Sequence, residues 1–462
     1  MRIGIIGGGI TGLSAACELE LRRRAGAPVS FDLYEAAPRL GGVLSSRVVE
    51  GCVVELGPDS FIADKPWAAE LCRELGMIGE LVGSNDAGRK TYILVHGRLV
   101  ELPDGLMFMV PTKLIPTALS PLFSLKTKLR MAAEFLLPPR AVRGDESVAA
   151  MVERHFGAEC VDRLADPLLS GVYGGDSARL SARAVLPRFV EMERKHGSLC
   201  RAMLAARRRM PKREGTKPGM FTTLQRGMSS LPEAIAATLP PESVHTSSPV
   251  SAIAREGSGW ALTAQGEAQH FDALIVALPA HAAATLLGST DEALAADLAA
   301  IPYSSSVTMT LGYGEEQLTA LPDGFGFLIP RSEGLRLLAG TFVHRKFNGR
   351  AAAGMGLVRC FFGGIGDPEV LELDDATLVE LARRELKAVT GLDEEPRFAV
   401  LGRWPRAMAQ YAPGHLERVV RIEAAVSRQR NLALAGNAYH GIGVPDCVRG
   451  GRAAVRTLLS QK

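Results

Sequence analysis

The chain begins with a short apolar run that leads directly into glycines and then into an apolar pattern of helical period. The apolar run covers residues 2–6, the helical pattern covers residues 13–19, and a second apolar run over residues 31–34 ends at the acid Glu35. The glycines before the helical pattern are Gly7, Gly8, Gly9 and Gly12. Strand, glycine turn, helix, strand and acid in this order are typical of a dinucleotide-binding unit. The pattern predicts a diphosphate at the helix N-terminus and a ribose hydroxyl donating to Glu35.

Nucleotide-type elements recur in the middle and at the end of the chain. Residues 272–279 form an apolar run that stops at a proline, and residues 431–437 form another that enters a glycine turn. The segment 441–446 then leads into a helix that extends to Leu459. These elements predict a cofactor domain assembled from distant segments, which suits a long buried FAD better than a nicotinamide cofactor. The N-terminus of the last helix, at Val444, is expected to oppose the flavin ring and to favour negative charge on it.

The segments that lie between these elements in the sequence predict further helices and strands. Residues 105–218 are rich in helical patterns, residues 306–362 are rich in strand patterns, and residues 375–390 predict a further helix. Alternating runs predict three short strands of one meander, at residues 244–246, 249–254 and 260–263.

Composition places the chain among ordinary globular proteins. Its 462 residues give room for two or three domains, with 47% hydrophobic residues, 22% charged residues and a formal net charge of +3. That charge does not indicate nucleic-acid binding. The basic run at residues 207–213 is typical of a solvated helix end, with contact to anionic lipid as the alternative. The scattered cysteines indicate free thiols in a reducing compartment rather than a disulfide framework or a zinc site. They are Cys17, Cys52, Cys72, Cys160, Cys200, Cys360 and Cys447.

The most membrane-like stretch is residues 106–123, which Pro111, Pro116, Pro121 and Lys113 interrupt. Such a stretch is too broken to span a bilayer. Glycines also break the apolar N-terminus, so we do not expect a signal peptide there. The sequence predicts a soluble cytoplasmic protein, with weak contact to the inner face of the membrane as the alternative.

Several longer motifs resemble the oxygen-dependent porphyrinogen oxidases of the flavin amine oxidase-like superfamily, which act on coproporphyrinogen III or protoporphyrinogen IX. They lie at residues 39–42, 57–61, 169–176, 324–330, 410–417 and 436–447, and the similarity extends nearly from end to end. The resemblance implies an α/β (α+β) fold of the p-hydroxybenzoate hydroxylase type, with a Rossmann-like FAD domain, a mixed-sheet substrate domain and a helical insert. It also implies that a porphyrinogen loses six electrons and six protons while oxygen reoxidises the FAD to give hydrogen peroxide.

The resemblance also implies a division of the chain and roles for particular residues. The FAD domain would comprise residues 1–68, 217–282 and 398–462, the substrate domain residues 69–104 and 283–397, and the helical entrance domain residues 105–216. Non-covalent FAD would contact Gly7, Gly8, Gly9, Ile10, Thr11, Gly12, Glu35, Ala36, Gly42, Gly57, Pro58, Asp59, Ser60, Val250, Trp404, Ile442, Gly443 and Val444. The macrocycle would be lined by Lys65, Gly171, Phe325, Leu328 and Met408. No residue is assigned as catalytic base and no metal-ligand cluster stands out.

Three alternatives accompany the preferred substrate, coproporphyrinogen III. Lys65 and the sequence Val444-Pro445-Asp446 favour it over protoporphyrinogen IX, because a rim lysine binds propionates and coproporphyrinogen III has two more of them. A more distant alternative is another flavin amine oxidase or a carotenoid desaturase, against which the segment 169–176 argues. The last alternative is a protein that binds a flavin without catalysing a reaction and acts as a scaffold for ferrochelatase. The resemblance also raises ferrochelatase as a partner of the enzyme itself.

Overall fold

The computed structural model describes residues 1–107, 109–140, 144–209 and 219–460. Phe108 of the apolar stretch and Lys212 and Arg213 of the basic run lie outside these ranges. The first strands are β1 (Arg2–Ile6), β2 (Ser30–Tyr34), β3 (Ser46–Val49), β4 (Cys52–Glu55), β5 (Phe61–Ile62), β6 (Leu81–Gly83), β7 (Thr91–Val95), β8 (Arg98–Glu101), β9 (Leu106–Met107), β10 (Val110–Pro111) and β11 (Phe221–Leu224). The later strands are β12 (Val244–His245), β13 (Val250–Glu256), β14 (Gly259–Ala264), β15 (Glu267–Phe271), β16 (Ala273–Val276), β17 (Tyr303–Gly314), β18 (Gly326–Leu328), β19 (Leu337–Phe342), β20 (Met355–Gly363), β21 (Phe398–Ala409) and β22 (Leu432–Leu434).

Helices cover both faces of the sheets and form one separate region. The first are α1 (Ile10–Arg24), α2 (Trp67–Glu74), α3 (Leu114–Leu119), α4 (Leu125–Glu134), α5 (Val148–Phe156), α6 (Ala158–Cys160), α7 (Asp166–Tyr173), α8 (Ala182–Val185), α9 (Pro187–His196) and α10 (Leu199–Arg209). The later helices are α11 (Ser230–Ala236), α12 (Ala280–Leu287), α13 (Glu292–Ala299), α14 (Val343–Lys346), α15 (Asp375–Thr390), α16 (His415–Arg428) and α17 (Val444–Ser460).

The dinucleotide unit is built on a parallel sheet with the strand order β12-β2-β1-β16-β22. Every residue of the interior strand β16 is buried, as expected for a parallel strand that is covered on both faces. The sheet joins segments from the start, the middle and the end of the chain, as the recurring pattern predicts.

The predicted place of residues 244–246 in the meander is wrong. β12 pairs in parallel with β2, with Val244 opposite Leu33 and His245 opposite Tyr34. The meander instead consists of β13, β14 and β15. A strand of two residues has no period from which its partner could be inferred, so the tertiary fold decides where it pairs.

The first and last helices pack closely on the parallel sheet. A Cβ at Gly451 of α17 would lie 2.1 Å from the carbonyl oxygen of Thr11 in α1, so only glycine allows this approach. Leu13 of α1 and Val448 and Val455 of α17 are buried in one apolar core beside the sheet. This packing fixes the N-termini of both helices at the cofactor side of the unit.

The second large sheet is mixed, with the strand order β21-β17-β20-β19-β18-β7-β8. β18 and β7 pair in parallel, and the other neighbours are antiparallel. α15 packs on it through buried side chains that include Leu378, Leu381 and Leu386. Its bounds are those that the sequence predicts, because Asp374 accepts from the amide of Thr377 at its start and Gly391, at φ +82°, ends it.

The region from α3 to α10 has its own apolar core, and a buried acid ties its helices together. Glu134 at the end of α4 accepts hydrogen bonds from His155 Nδ1 of α5 at 2.9 Å and from Ser198 Oγ at 2.7 Å. It also accepts from the amide of Leu199, the first residue of α10. Within the described ranges, no helix has both the length and the apolar character needed to cross a bilayer.

Candidate functional site

The glycine turn between β1 and α1 leaves an open space in front of the helix. Gly7 has a φ of +108°, which favours glycine, and its amide donates to the carbonyl oxygen of Tyr34 at 2.8 Å. A Cβ at Gly12 would lie 1.9 Å from the Gly7 carbonyl oxygen, so Gly12 lets helix and strand touch. A Cβ at Gly9, which precedes α1, would meet no atom within 4 Å. A diphosphate fits this space, because the first amides of a helix have no intrahelical partners.

The carboxylate of Glu35 stands beside this turn and is held there by two backbone amides. Its oxygens accept hydrogen bonds from Gly8 N at 2.7 Å and from Ala37 N at 2.8 Å. A carboxylate oxygen has a second lone pair. Glu35 is therefore oriented by the chain and still able to accept from a ribose hydroxyl.

The second glycine turn lies directly against the first. Gly41 forms an isolated bridge with Gly9, and a Cβ at Gly42 would lie 3.2 Å from the Cα of Gly9. Arg39 closes the second turn by donating to the carbonyl oxygen of Leu44 at 3.1 Å. Gly9 and Gly42, which the sequence assigns to the same cofactor, are therefore neighbours in space.

A cleft of about 890 Å³ opens beside the first turn. Four predicted FAD contacts line one wall: Gly7, Glu35, Ala36 and Val250. Other lining residues belong to α12, α13 and β21. Ligand pockets in proteins have volumes of roughly 300–1,000 Å³, so the cleft is large enough for a nucleotide.

The segment after β4 is fixed by side chains of the mixed sheet. The carbonyl oxygen of Leu56 accepts from Trp404 Nε1 at 2.6 Å and from the hydroxyl of Thr308. A Cβ at Gly57 would lie 1.8 Å from the Val43 carbonyl oxygen and 3.5 Å from the Trp404 ring. The structure thus brings together the predicted contacts Gly57 and Trp404, and it requires glycine at the former.

The carboxylate of Asp59 points into a buried ionic cluster. It accepts from Ser60 Oγ at 2.7 Å and Lys346 Nζ at 3.0 Å, and the guanidinium of Arg359 lies 3.9 Å away. Burial alone would raise the pKa of Asp59, but the charges of Lys346 and Arg359 hold it well below its usual range. Because protein groups occupy its side chain, a contact of Asp59 with FAD would be made through the backbone.

The C-terminal glycine segment is held by the hydroxyl of Tyr411. This group donates to the carbonyl oxygen of Asn437 at 2.7 Å and accepts from the amide of Gly441 at 2.8 Å. Burial raises the pKa of Tyr411, so the hydroxyl keeps the proton that it donates. The predicted contacts Ile442 and Gly443 follow directly and lead into Val444, the first residue of α17.

Lys65, the predicted propionate-binding lysine, is paired within the chain. Its Nζ lies 2.5 Å from Asp446 Oδ2, and Arg449 lies 3.4 Å from the other oxygen of the same carboxylate. The Lys65 side chain is 43% exposed, whereas that of Asp446 is 4% exposed. The ammonium therefore stands at the surface of the site while its partner is buried.

The structure places some of the predicted substrate residues close to one another. A Cβ at Gly171 would lie 3.6 Å from Leu328 Cδ2, so α7 and β18 meet at these two positions. Met408 is linked to the end of α7 through Gln410, whose amide donates to the carbonyl oxygens of Met408 and Tyr173. Phe325 is buried and precedes β18.

Sequence reasoning missed the groups that hold these segments in place. Tyr411 lies inside a recognised motif, so its role as a hydrogen-bonding group was within reach of the sequence. Lys346 and Arg359 belong to segments without a motif, and no signal in a single sequence links them to Asp59. The pairing of Lys65 with Asp446 was missed for the same reason.

Known proteins resemble this chain along its whole length. Residues 10–459 match the family described as flavin containing amine oxidoreductase. Coproporphyrinogen III oxidase of Bacillus subtilis is 34% identical over 461 residues, which cover 99% of this chain and 97% of that protein. Protoporphyrinogen oxidase 1 of spinach chloroplasts is 30% identical over 490 residues, which cover 99% of this chain and 84% of that protein.

A solved structure shares the complete architecture. It is that of a protein from Exiguobacterium sp. 255-15 assigned as a protoporphyrinogen oxidase, with 28% identity and a TM-score of 0.89, and the alignment covers 100% of this chain and 99% of that one. Together, the family match and these similarities confirm the predicted fold class, the FAD cofactor and the class of oxidoreductase. The chain belongs to the flavin-containing amine oxidoreductase family.

Proposed function

We propose that this chain uses FAD to oxidise a porphyrinogen to the corresponding porphyrin, with coproporphyrinogen III as its substrate. The observation that carries the proposal is the full-length similarity to a coproporphyrinogen III oxidase at 34% identity. The meeting of Gly171 with Leu328, both in segments that the resemblance assigns to the macrocycle, supports it. Protoporphyrinogen IX is the alternative substrate, and a protoporphyrinogen oxidase is similar over 99% of this chain.

The chain's own residues would bind and orient the reactants. Bound FAD supplies the acceptor for hydride, and oxygen regenerates it, so that one porphyrinogen and three oxygen molecules give one porphyrin and three hydrogen peroxide molecules. The space before α1 at Gly9 would take the diphosphate, and Glu35 would accept from the ribose. The N-terminus of α17 supplies a partial positive charge that favours an anion beside it. No side chain is required as a base for this assignment.

From the resemblance and the geometry of the site, we assign the predicted contact residues to two sets, one for FAD and one for the substrate. The FAD set consists of the two glycine turns, Glu35, Gly57, Val250, Trp404 and the start of α17. Lys65, Gly171, Phe325, Leu328 and Met408 form the substrate set. The structure supports the first set through the open space at Gly9 and the cleft beside Glu35.

A comparison of substrates tests the proposal. The purified protein, supplied with FAD and oxygen, should convert coproporphyrinogen III faster than protoporphyrinogen IX, as measured by porphyrin fluorescence and by peroxide release. Faster turnover of protoporphyrinogen IX would select the alternative substrate. Peroxide release with amines but with neither porphyrinogen would place the chain among the amine oxidases, and flavin binding without any turnover would support the scaffold alternative.

A finer proposal concerns the membrane. The apolar side chains Ile115, Leu119, Leu125, Leu129 and Leu136 are between 64% and 82% exposed. Leu125 and Leu129 share one face of α4, where exposed Lys126 lies between them in sequence. An exposed apolar face beside basic residues favours the surface of an anionic bilayer. We therefore propose a peripheral membrane contact through α3 and α4, whereas a contact with ferrochelatase stays a prediction of the resemblance.

Vesicle sedimentation tests this contact. The protein should sediment with vesicles of phosphatidylglycerol and much less with vesicles of phosphatidylcholine. Leu125→Ser with Leu129→Ser should abolish sedimentation. Val420→Ser, at an apolar residue of α16 that is 63% exposed, is the matched control and should leave it unchanged. Equal sedimentation of both variants would contradict a contact through α4.

A further inference from the structure

The cleft beside Glu35 has a wall to which neither the motifs nor the resemblance assigns a function. Its predicted nucleotide wall carries Gly7, Glu35 and Val250, and the lining also includes His281 of α12 and Arg406 of β21. Two groups able to donate hydrogen bonds, one of them cationic, thus share a cavity with residues predicted to hold the AMP half of FAD.

Arg406 is held in place by its backbone and has an uncompensated charge. It has a φ of +45°, a left-handed conformation that residues other than glycine rarely adopt, and its amide donates to Ser305 Oγ at 2.9 Å. Within the described ranges, its guanidinium forms no ion pair with an acid. Backbone strain of this kind persists where the surrounding structure enforces it and is common at ligand sites. The chain therefore places an exposed positive charge at the edge of the cleft.

His281 lines the cleft with a ring whose two nitrogens differ in exposure. Its Nδ1 has no hydrogen-bond partner among the described residues, and its ring packs edge-on against Tyr303 with the ring centres 4.9 Å apart. Burial and, secondarily, the charge of Arg406 lower the pKa of His281, so the ring is neutral near pH 7. A neutral imidazole can donate through one nitrogen and accept through the other. Nδ1 is shielded from solvent, so a ligand in the cleft would meet Nε2, which is not shielded in this way.

We propose that Arg406 and His281, which line the same cleft as Gly7 and Glu35, bind the AMP half of FAD. Arg406 would bind the phosphate charge and His281 would form a hydrogen bond through Nε2. The two acids that line the cleft, Glu35 and Glu292, do not neutralise the charge of Arg406. Glu35 is held by the amides of Gly8 and Ala37, and Glu292 forms no ion pair with Arg406 within the described ranges. The proposal rests on FAD as the cofactor and is independent of which substrate the enzyme oxidises.

Titration of the apoprotein tests the proposal without any turnover. FAD and ADP are titrated into apoprotein, followed by flavin fluorescence for FAD and by calorimetry for ADP. Arg406→Ala should raise the Kd of both by about tenfold, as expected for loss of one charge-assisted contact. Arg406→Lys should recover part of this loss, and the salt dependence of FAD binding should be weaker in Arg406→Ala than in the parent protein. His281→Ala should raise both Kd values by about threefold, and riboflavin, which lacks the AMP half, should bind all forms equally.

Arg428, exposed at the end of α16 and outside the cleft, provides the matched control. Arg428→Ala should bind FAD and ADP as the parent does. Melting of the apoproteins, followed by circular dichroism, should be the same for all variants and thereby separates a binding effect from a folding effect. Equal Kd values for Arg406→Ala and Arg428→Ala, or an equal loss of riboflavin and FAD binding, would overturn the proposal. Failure of the protein to oxidise porphyrinogens would contradict the proposed function and leave the titration result unchanged.

Discussion

The ammonium of Lys65 lies 2.5 Å from the carboxylate of Asp446, which is 381 residues away in sequence. The pair joins the segment before α2 to the first turn of α17, the helix whose N-terminus is assigned to the flavin ring. Asp446 is the buried partner and Lys65 the exposed one. An ammonium has three donors, so Lys65 can bind a substrate carboxylate while Asp446 holds its position.

Lys65→Ala should therefore discriminate between the two porphyrinogens. A charge-assisted contact with a propionate contributes roughly 1.5–3 kcal/mol, and coproporphyrinogen III has two more propionates than protoporphyrinogen IX. We expect kcat/KM for coproporphyrinogen III to fall on the order of tenfold, equivalent to about 1.4 kcal/mol. The value for protoporphyrinogen IX should fall less, and the FAD content of the purified protein should not change.

The control for this substitution is the partner carboxylate. Lys65→Ala leaves Asp446 buried with Arg449 as its only cationic partner among the described residues, which by itself would destabilise the start of α17. The double variant Lys65→Ala with Asp446→Asn removes both charges and should keep the substrate preference of Lys65→Ala. Recovery of normal kcat/KM in the double variant would show that the loss came from the stranded carboxylate and would contradict propionate binding.

Gly9 and Gly12 should respond differently to the same substitution. A side chain at Gly9 enters the open space before α1, whereas a side chain at Gly12 would collide with the Gly7 carbonyl oxygen at 1.9 Å. Gly9→Val should fold with near-parental stability and be purified as colourless apoprotein. Gly12→Val should lose stability by several kcal/mol, about the upper range for overpacking, and accumulate as insoluble protein. Flavin absorbance and thermal melting of the soluble fractions measure both effects, and a yellow Gly9→Val protein would refute the placement of the diphosphate.

The sequence could predict local elements and could not predict the contacts between them. The first glycine turn and α15 have strong local signals, namely the glycine spacing in the turn and the capping residues of the helix, and the structure confirms both. β12 has two residues, and its pairing with β2 depends on the folded chain. Likewise, the partners of Asp59 are Lys346 of α14 and Arg359 of β20, so only the packing of these two elements against the segment after β4 brings those charges together.

Trp404 and Thr308 should stabilise the segment at Leu56 cooperatively. Both donate to the carbonyl oxygen of Leu56, so loss of one donor leaves the other in place. Trp404→Phe and Thr308→Val should each lower the free energy of unfolding by about 1 kcal/mol, the net value of one hydrogen bond. The double variant leaves the oxygen without a donor and should lose more than the sum of the two. Urea unfolding of the four proteins measures the coupling, and strict additivity would contradict a shared acceptor.

His155 should make the stability of the helical region depend on pH. Its side chain is buried between Glu134 and Glu193, with Nδ1 2.9 Å from the former and Nε2 3.4 Å from the latter. Burial opposes the charged imidazolium, but hydrogen bonds and charges from both acids outweigh it and raise the pKa of His155 above its usual 6.5. Hydrogen bonds and charges from His155 and Arg154 outweigh burial and lower the pKa of Glu193 to about 2.

The sign of the effect follows from these shifts. A pKa raised in the folded state contributes stability that is complete below the unfolded value of 6.5 and disappears as the pH rises through the folded value. The lowered pKa values of Glu134 and Glu193 contribute stability above their usual 4.5, and this part is lost in acid. The network should therefore stabilise the fold most between pH 4.5 and 6.5.

His155→Gln isolates the contribution of the imidazolium. Glutamine does not titrate, so the difference in the free energy of unfolding between the parent and His155→Gln should be largest near pH 6 and shrink toward pH 9. Because removal of one partner from a buried ion pair costs about 3–5 kcal/mol, the effect at pH 6 should be easily measured by urea unfolding. His440→Gln, at a histidine whose side chain is 61% exposed, should show a much smaller pH-dependent difference. Parallel stability curves for the parent and His155→Gln from pH 6 to 9 would mean that His155 is neutral in the folded protein.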